Sequence, residues 1–147
     1  MTDYSRLVDE GRVKAGRFSR DQVDDCLRIA ERDLETAHTV FENSPEWAFN
    51  IAYNAMHQAG RAFLFREGFR TLGEGHHATV VRFLEIGLGS RHQDALDLMD
   101  RMRRKRNRAT YDRVGTISRK EANEAISAAR RFVAEIAGRI RPQNRQG

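Results

Sequence analysis

A basic run in the last third of the chain holds the residues best suited to binding a phosphate group. It reads RRKRNRATYD from Arg103 to Asp112, and five of its first six residues are Arg or Lys. Guanidinium groups bind phosphate oxygens through charge-assisted hydrogen bonds, often two at a time. A solvated helix face has a similar composition. The run therefore leaves open a solvated surface, a nucleic-acid contact and the remains of a catalytic site.

Arg106 differs from its neighbours if this segment is a regular helix. It follows Met99 and Met102 at the next step of four, on the apolar stripe. A buried guanidinium is unfavourable unless it meets an anion or a carboxylate. Arg106 is thus either a phosphate ligand or a structural residue that reaches past the core or pairs with Asp100 or Asp112. The other candidate phosphate ligands in the run are Arg103, Arg104, Asn107 and Arg108.

A second polar feature lies in the middle of the chain. Asn50, Asn54, His57 and Arg61 fall at i, i+4, i+7 and i+11 of a helical segment that is otherwise apolar. This spacing places the four side chains on one line along the helix. The line either faces water or forms the polar wall of a ligand groove. In the second case His57 would be available near neutral pH.

The remaining residue types provide no recognisable metal or catalytic motif. His76 and His77 are adjacent, so on a helix they point about 100° apart and do not form a chelating pair. No Cys and His spacing resembles a zinc site. We predict no metal and no cofactor. Cys26 precedes the core position Leu27, which predicts a partly buried, inert thiol.

Composition limits the class of protein. The chain has 147 residues, a formal net charge of +5 and a pI of about 10.0, which favours polyanionic partners. A single cysteine excludes an internal disulfide and suits a reducing compartment. No apolar stretch approaches the roughly 20 residues that span a bilayer, and the N-terminus lacks a signal-peptide core. We therefore expect a soluble, cytoplasmic protein with no membrane partner.

Helical periodicity recurs along the chain, and no strand pattern is sustained. The start signals are Ser19 before the first long stripe, Pro45 before the second and a Ser118–Glu121 capping box before the last. Gly68 is expected to end the second helix, and FRTLGEG after it is expected to be a loop.

These elements predict one all-α fold, an up-and-down bundle of four main helices with one or two short extra helices. We place an N-terminal extension with a short helix at residues 1–18 and the bundle at residues 19–141. Residues 142–147 are expected to form a disordered tail.

Three stretches resemble the HEPN domains, small helical bundles that are usually dimeric and occur beside minimal nucleotidyltransferases and in defence proteins. They are IAYNAMHQAGRAFLFREGF, GEGHHATVVRFL and RMRRKRNRATYDRVGTISRKEANEAISAARRFVAEI, which together cover roughly residues 20–137. The resemblance implies a HEPN-like bundle, a homodimer and a role in binding RNA or a nucleotide. It also implies a nucleotidyltransferase partner in a toxin–antitoxin or defence system.

The basic run departs from the pattern of the family's ribonucleases, which have an Arg, a polar residue and, a few residues later, a His. Arg106 and Asn107 match the start of that pattern, but Tyr111 stands where the His is expected. Tyrosine titrates near pH 10 and is a poor general base at neutral pH. We therefore predict a non-catalytic binding module. The alternative is a metal-independent endoribonuclease with an altered site, in which Arg106 acts with Tyr111 or His57.

Overall fold

A computed structural model describes residues 2–111 and 117–141, with the side chains of 107–111 excluded. The described parts contain six α-helices, one 3₁₀ turn and two short strands. In chain order they are α1 (Ser5–Asp9), β1 (Val13–Ala15), α2 (Arg20–Val40), α3 (Pro45–Glu67), β2 (Phe69–Thr71), α4 (His76–Leu88), the turn Ser90–His92, α5 (Gln93–Tyr111) and α6 (Arg119–Ile140). The predicted all-α bundle is confirmed.

Local sequence signals account for the helix ends. The Ser19 side chain accepts a hydrogen bond from the Gln22 backbone N–H, and the Gln22 side chain accepts one from the Ser19 N–H. Ser118 and Glu121 form the same reciprocal capping box at the start of α6. Gly68 ends α3 with φ of 91°, a left-handed conformation that glycine adopts without strain. These three predicted boundaries are confirmed.

Helix α3 lies at the centre of the bundle and contacts α2, α4, α5 and α6. Its approach to α4 is close because Gly60 has no side chain. A Cβ at that position would lie 2.7 Å from Cγ1 of Val80. Neighbouring helices of the same chain therefore cover the apolar sides of α3.

The expectation of a loop after Gly68 is wrong for residues Phe69–Thr71. These residues form β2, which pairs with β1 in an antiparallel two-stranded ribbon. Val13 opposes Thr71 in the register, and its side chain is buried in the core. Three-residue strands have too few alternations to produce a readable pattern in the sequence.

The N-terminal segment is packed against the bundle. The Tyr4 ring stacks on Phe83 with a centroid separation of 3.8 Å, and the Tyr4 hydroxyl donates a hydrogen bond to Glu67 at 3.0 Å. The domain limits expected at residues 18 and 141 stay predictions, and the expected tail lies outside the described residues. Within residues 2–111 and 117–141, no helix has the length and apolar character needed to cross a membrane.

Candidate nucleotide-binding site

Three basic residues of α5 have carboxylate partners among the described residues. Arg103 and Arg104 both pair with Asp100, which lies three and four residues before them, one helical turn away. Lys105 pairs with Glu121 of α6. The charges of these side chains are therefore partly compensated before any ligand binds.

Arg106 is placed differently. Its guanidinium carbon lies 5.5 Å from the centre of the Tyr53 ring on α3, a cation–π contact, and the side chain is half-buried. It forms no ion pair with a carboxylate among the described residues. The pairing with Asp100 considered from the sequence is therefore not found, because Asp100 binds Arg103 and Arg104. Asp112 lies outside the described residues.

A cavity of about 290 Å³ opens beside Arg106, between α2, α3 and α5. Trp47 forms part of its rim with 63% of its surface exposed, and it is the only tryptophan in the chain. The Oδ1 atom of Asn50 is buried and has no hydrogen-bond partner in the described structure. The residues that line the cavity are Asp33, Trp47, Asn50, Ile51, Asn54 and Arg106.

Asp33 is the acidic member of this cavity. Only 7% of its surface is exposed. Its Oδ2 accepts a hydrogen bond from Nδ2 of Asn54 at 2.6 Å, and its Oδ1 accepts one from Nη2 of Arg32 at 3.1 Å. The Arg32 guanidinium compensates the carboxylate charge, so Asp33 leaves the cavity open to an anionic ligand. Asp33 also fixes the orientation of the Asn54 amide.

A cluster of neutral aromatic side chains lies beneath Arg106. The Tyr53 hydroxyl and Nδ1 of His77 share a hydrogen bond of 2.7 Å, and the rings of His57 and His77 stack 3.9 Å apart. Burial raises the pKa of Tyr53 to about 12. Burial, together with the charges of nearby histidines and arginines, lowers the pKa of His57 to about 3 and that of His77 to about 4.

The polar line expected on α3 is therefore divided among three environments. Asn50 and Asn54 line the cavity with Arg106, as the groove interpretation requires. His57 is 5% exposed, so it neither faces water nor titrates near neutral pH, and that expectation is wrong. Arg61 lines a separate cavity with Phe18.

Other predicted residues are placed as follows. Arg103 and Arg104 are ion-paired with Asp100 and do not line this cavity, and Arg104 lines a different one with Arg101. Burial raises the pKa of the Cys26 thiol, which agrees with the inert thiol expected from the sequence. The side chains of Asn107, Arg108 and Tyr111 lie outside the described residues, so their predicted roles stay predictions.

Sequence reasoning missed Asp33, Trp47, Tyr53 and His77. A signal for Asp33 was present, since it falls three residues after Ala30 on the apolar stripe of α2. A carboxylate on a buried stripe indicates a specific partner. The other three residues become recognisable only when α3, α4 and α5 are brought together.

The fold and this site define a small helical domain with a cavity of about 290 Å³ that is lined by an arginine, an aspartate and an exposed tryptophan. The family model for the HEPN domain matches residues 23–140, and the chain belongs to the HEPN domain family. No curated protein matches the chain significantly. HEPN domains commonly form dimers and bind RNA, and membership indicates an RNA-binding or ribonuclease-type module.

Proposed function

We propose that this HEPN domain is a non-catalytic module that binds RNA or a nucleotide, with one nucleotide unit held in the Arg106 cavity. The observation that carries the proposal is the meeting of an exposed indole with a guanidinium that has no described carboxylate partner. Trp47 and Arg106 line the same cavity of about 290 Å³. A nucleotide offers a flat base and an anionic phosphate, the two groups that an indole and a guanidinium bind.

Each group of the cavity has a matching interaction with a nucleotide. An exposed aromatic ring stacks on a base, an interaction worth roughly 1–3 kcal/mol. Arg106 provides charge-assisted hydrogen bonds for a phosphate. The Asn50 Oδ1, which is buried without a partner, and the Asn54 amide can bind the polar edge of a base. The net charge of +5 favours the approach of polyanions.

The titration of the cluster supports binding over cleavage. A general base is most effective when its pKa lies near the working pH. His57 and His77 have pKa values of about 3 and 4, and that of Tyr53 is about 12. These groups stay neutral at pH 7 and accept protons weakly. The alternative is a metal-independent endoribonuclease in which Arg106 acts with Tyr111 or His57. Its His57 version therefore has less support, whereas the Tyr111 side chain lies outside the described residues.

The proposal extends to partners. We infer a homodimer that associates with a minimal nucleotidyltransferase in a toxin–antitoxin or defence system, and this part rests on family membership alone. Sedimentation at micromolar concentration should give about twice the chain mass. Co-purification from the native cell should recover a nucleotidyltransferase. A monomer that purifies alone would remove this part of the proposal and leave the cavity argument in place.

The binding site is tested by titrating the protein with the adenylate dinucleotide ApA carrying a 5′-phosphate. Because Trp47 is the sole tryptophan, quenching of intrinsic fluorescence reports directly on stacking in the cavity. Arg106→Ala should weaken binding by about 2 kcal/mol, the value of a charge-assisted contact, and leave the melting temperature nearly unchanged.

The matched control is Arg101→Ala, since Arg101 is an exposed arginine of α5 that lines a different cavity. It should bind like the wild type, and the RNA should remain intact in every incubation. If Arg106→Ala binds like the wild type but melts much earlier, Arg106 is a structural residue and the proposed function is wrong. Rapid RNA cleavage abolished by Arg106→Ala would favour the ribonuclease alternative.

A further inference from the structure

The exposed side of α3 continues beyond the Arg106 cavity. Asn54, Gln58, Arg61 and Phe65 follow one another at steps of four, three and four, and all are partly exposed. They extend the line that begins at Asn50 toward the C-terminal end of the helix. The acidic residues of α3 are Glu46 and Glu67, near its two ends, so the line between them carries no negative charge of its own.

A second cavity of about 300 Å³ lies at the far end of this line. It repeats the chemistry of the first, an aromatic surface beside arginine. Phe18 stacks on Phe65 with a centroid separation of 4.7 Å, and the Arg61 guanidinium carbon lies 5.3 Å from the centre of the Phe65 ring. Arg70 of β2 also lines the cavity and is exposed.

Polar groups connect the two cavities along α3. Arg61 donates a hydrogen bond to the Gln58 side chain at 3.2 Å, which leaves the rest of its guanidinium edge for other acceptors. From Trp47 to Phe65 the helix rises about 27 Å, at roughly 1.5 Å per residue. One nucleotide fills one cavity but does not cover this distance.

We propose that a single strand of RNA lies along α3, from the Trp47–Arg106 cavity to the Phe18–Phe65 cavity, with Arg61 and Arg70 binding phosphates at the far end. The inference rests on the proposed function and specifies its ligand as an oligonucleotide. Aromatic surfaces spaced along a cationic groove are the usual construction of sites that bind single strands. The span corresponds to about four nucleotides or more, at the lower end of the range for such sites.

Oligoadenylates of two to eight nucleotides, each with a 5′-phosphate, test the inference. We expect affinity for wild-type protein to rise at least tenfold from the dinucleotide to the hexanucleotide and then level off. Arg61→Ala and Arg70→Ala should each lower the affinity for the hexanucleotide about fivefold or more and leave the affinity for the dinucleotide unchanged. Arg70 is exposed, so its variant should fold even if the half-buried Arg61 proves structurally important.

The matched control is Arg131→Ala, which removes an exposed arginine of α6 that forms no ion pair with a described residue. This variant should bind the dinucleotide and the hexanucleotide as tightly as the wild type does. Equal affinity for two and six nucleotides would overturn the α3 strand site but leave the cavity proposal intact. If oligoadenylates of every length fail to bind, both the strand site along α3 and the nucleotide cavity are overturned. If Arg61→Ala and Arg70→Ala change the sedimentation coefficient and not the length dependence, the line is an interface between copies and the inference is wrong.

Discussion

The two sides of α3 differ in what their side chains do. The side toward α4 carries Gly60, and it is closely packed. The side toward α2 and α5 carries Asn50, Asn54 and Arg61 and remains partly exposed. The first side holds the bundle together, and the second presents polar groups on a helix that packing keeps in place.

This difference explains how polar groups are oriented in a protein of this size. A helix enclosed on several sides by its own chain has little freedom to rotate or tilt. Its exposed side chains are therefore held near the arrangement that a ligand requires. Substitutions on the packed side should change stability, whereas substitutions on the polar side should mainly change binding.

The largest effect is expected at Gly60 on the packed side. Gly60→Val should lower the free energy of unfolding by about 3 kcal/mol, because a Cβ would lie 2.7 Å from Cγ1 of Val80 and overpacking is costly. Urea denaturation followed by circular dichroism measures it. Gly138→Val on α6 is the matched control, since a Cβ there meets nothing within 4 Å. Similar losses at both positions would mean that valine itself, and not close packing, is responsible.

The next effect concerns His57, which lies where the two sides meet. Its folded pKa of about 3 is below the ordinary value of 6.5, so the unfolded chain binds the proton more readily. Stability should therefore be complete above pH 6.5 and fall as the pH decreases toward 3. At pH 5 the loss from His57 is about 2 kcal/mol, at 1.36 kcal/mol per pH unit.

Denaturation curves at pH 7 and pH 5 check this dependence. His57→Gln should reduce the difference between the two curves. His38→Gln, which changes an exposed histidine of α2, should leave it as large as in the wild type. A pH dependence that persists unchanged in His57→Gln would place its origin elsewhere, for example in His77.

A smaller effect is expected at Asn54 on the polar side. Asn54→Ala removes the donor to Oδ2 of Asp33 and should lower stability by about 1 kcal/mol, with Arg32 still bound to Oδ1. In an Asp33→Ala background, the same substitution should cost almost nothing further. A double-mutant cycle by thermal denaturation measures the coupling. Additive losses would show that the hydrogen bond contributes little.

The smallest effects are expected at the ion-paired arginines of α5. Arg103→Ala or Arg104→Ala should change stability by about 0.5 kcal/mol or less, because both side chains share Asp100 in partly exposed pairs. Each should also weaken RNA binding mildly and reduce the slope of log affinity against log salt concentration by about one unit. Affinity measured against salt concentration tests this. A loss as large as that of Arg106→Ala would remove the distinction between Arg106 and its neighbours.

Features that depend on neighbouring residues were predictable from the sequence. Ser19, Ser118 and Gly68 act within one turn of their own helices, so each boundary follows from a few residues. The unusual position of Arg106 was also visible, since one helical stripe is enough to reveal it. The contact of Arg106 with Tyr53 could not be predicted from the sequence, because that contact depends on the packing of α5 against α3.

Contacts between distant elements were missed for the same physical reason. The ribbon joins Val13 to Thr71 through backbone hydrogen bonds that any residue can form. The low pKa of His57 comes from burial and from His77 on another helix, so isolated α3 gives the opposite expectation. Sequence patterns identify which side of a helix is unusual, and tertiary packing decides what that side meets.

The ribbon between β1 and β2 has a consequence for how the chain is made. Residues 13–15 leave the ribosome before their partners at 69–71 have been synthesised, so they must wait while α2 and α3 are produced. Tyr4 can stack on Phe83 only after residue 83 has also been synthesised. The segment that holds Tyr4 and β1 can therefore dock fully only after α4 has been made. A fragment that begins at residue 23, where the family match begins, would lack β1 and the Tyr4 ring that stacks on Phe83.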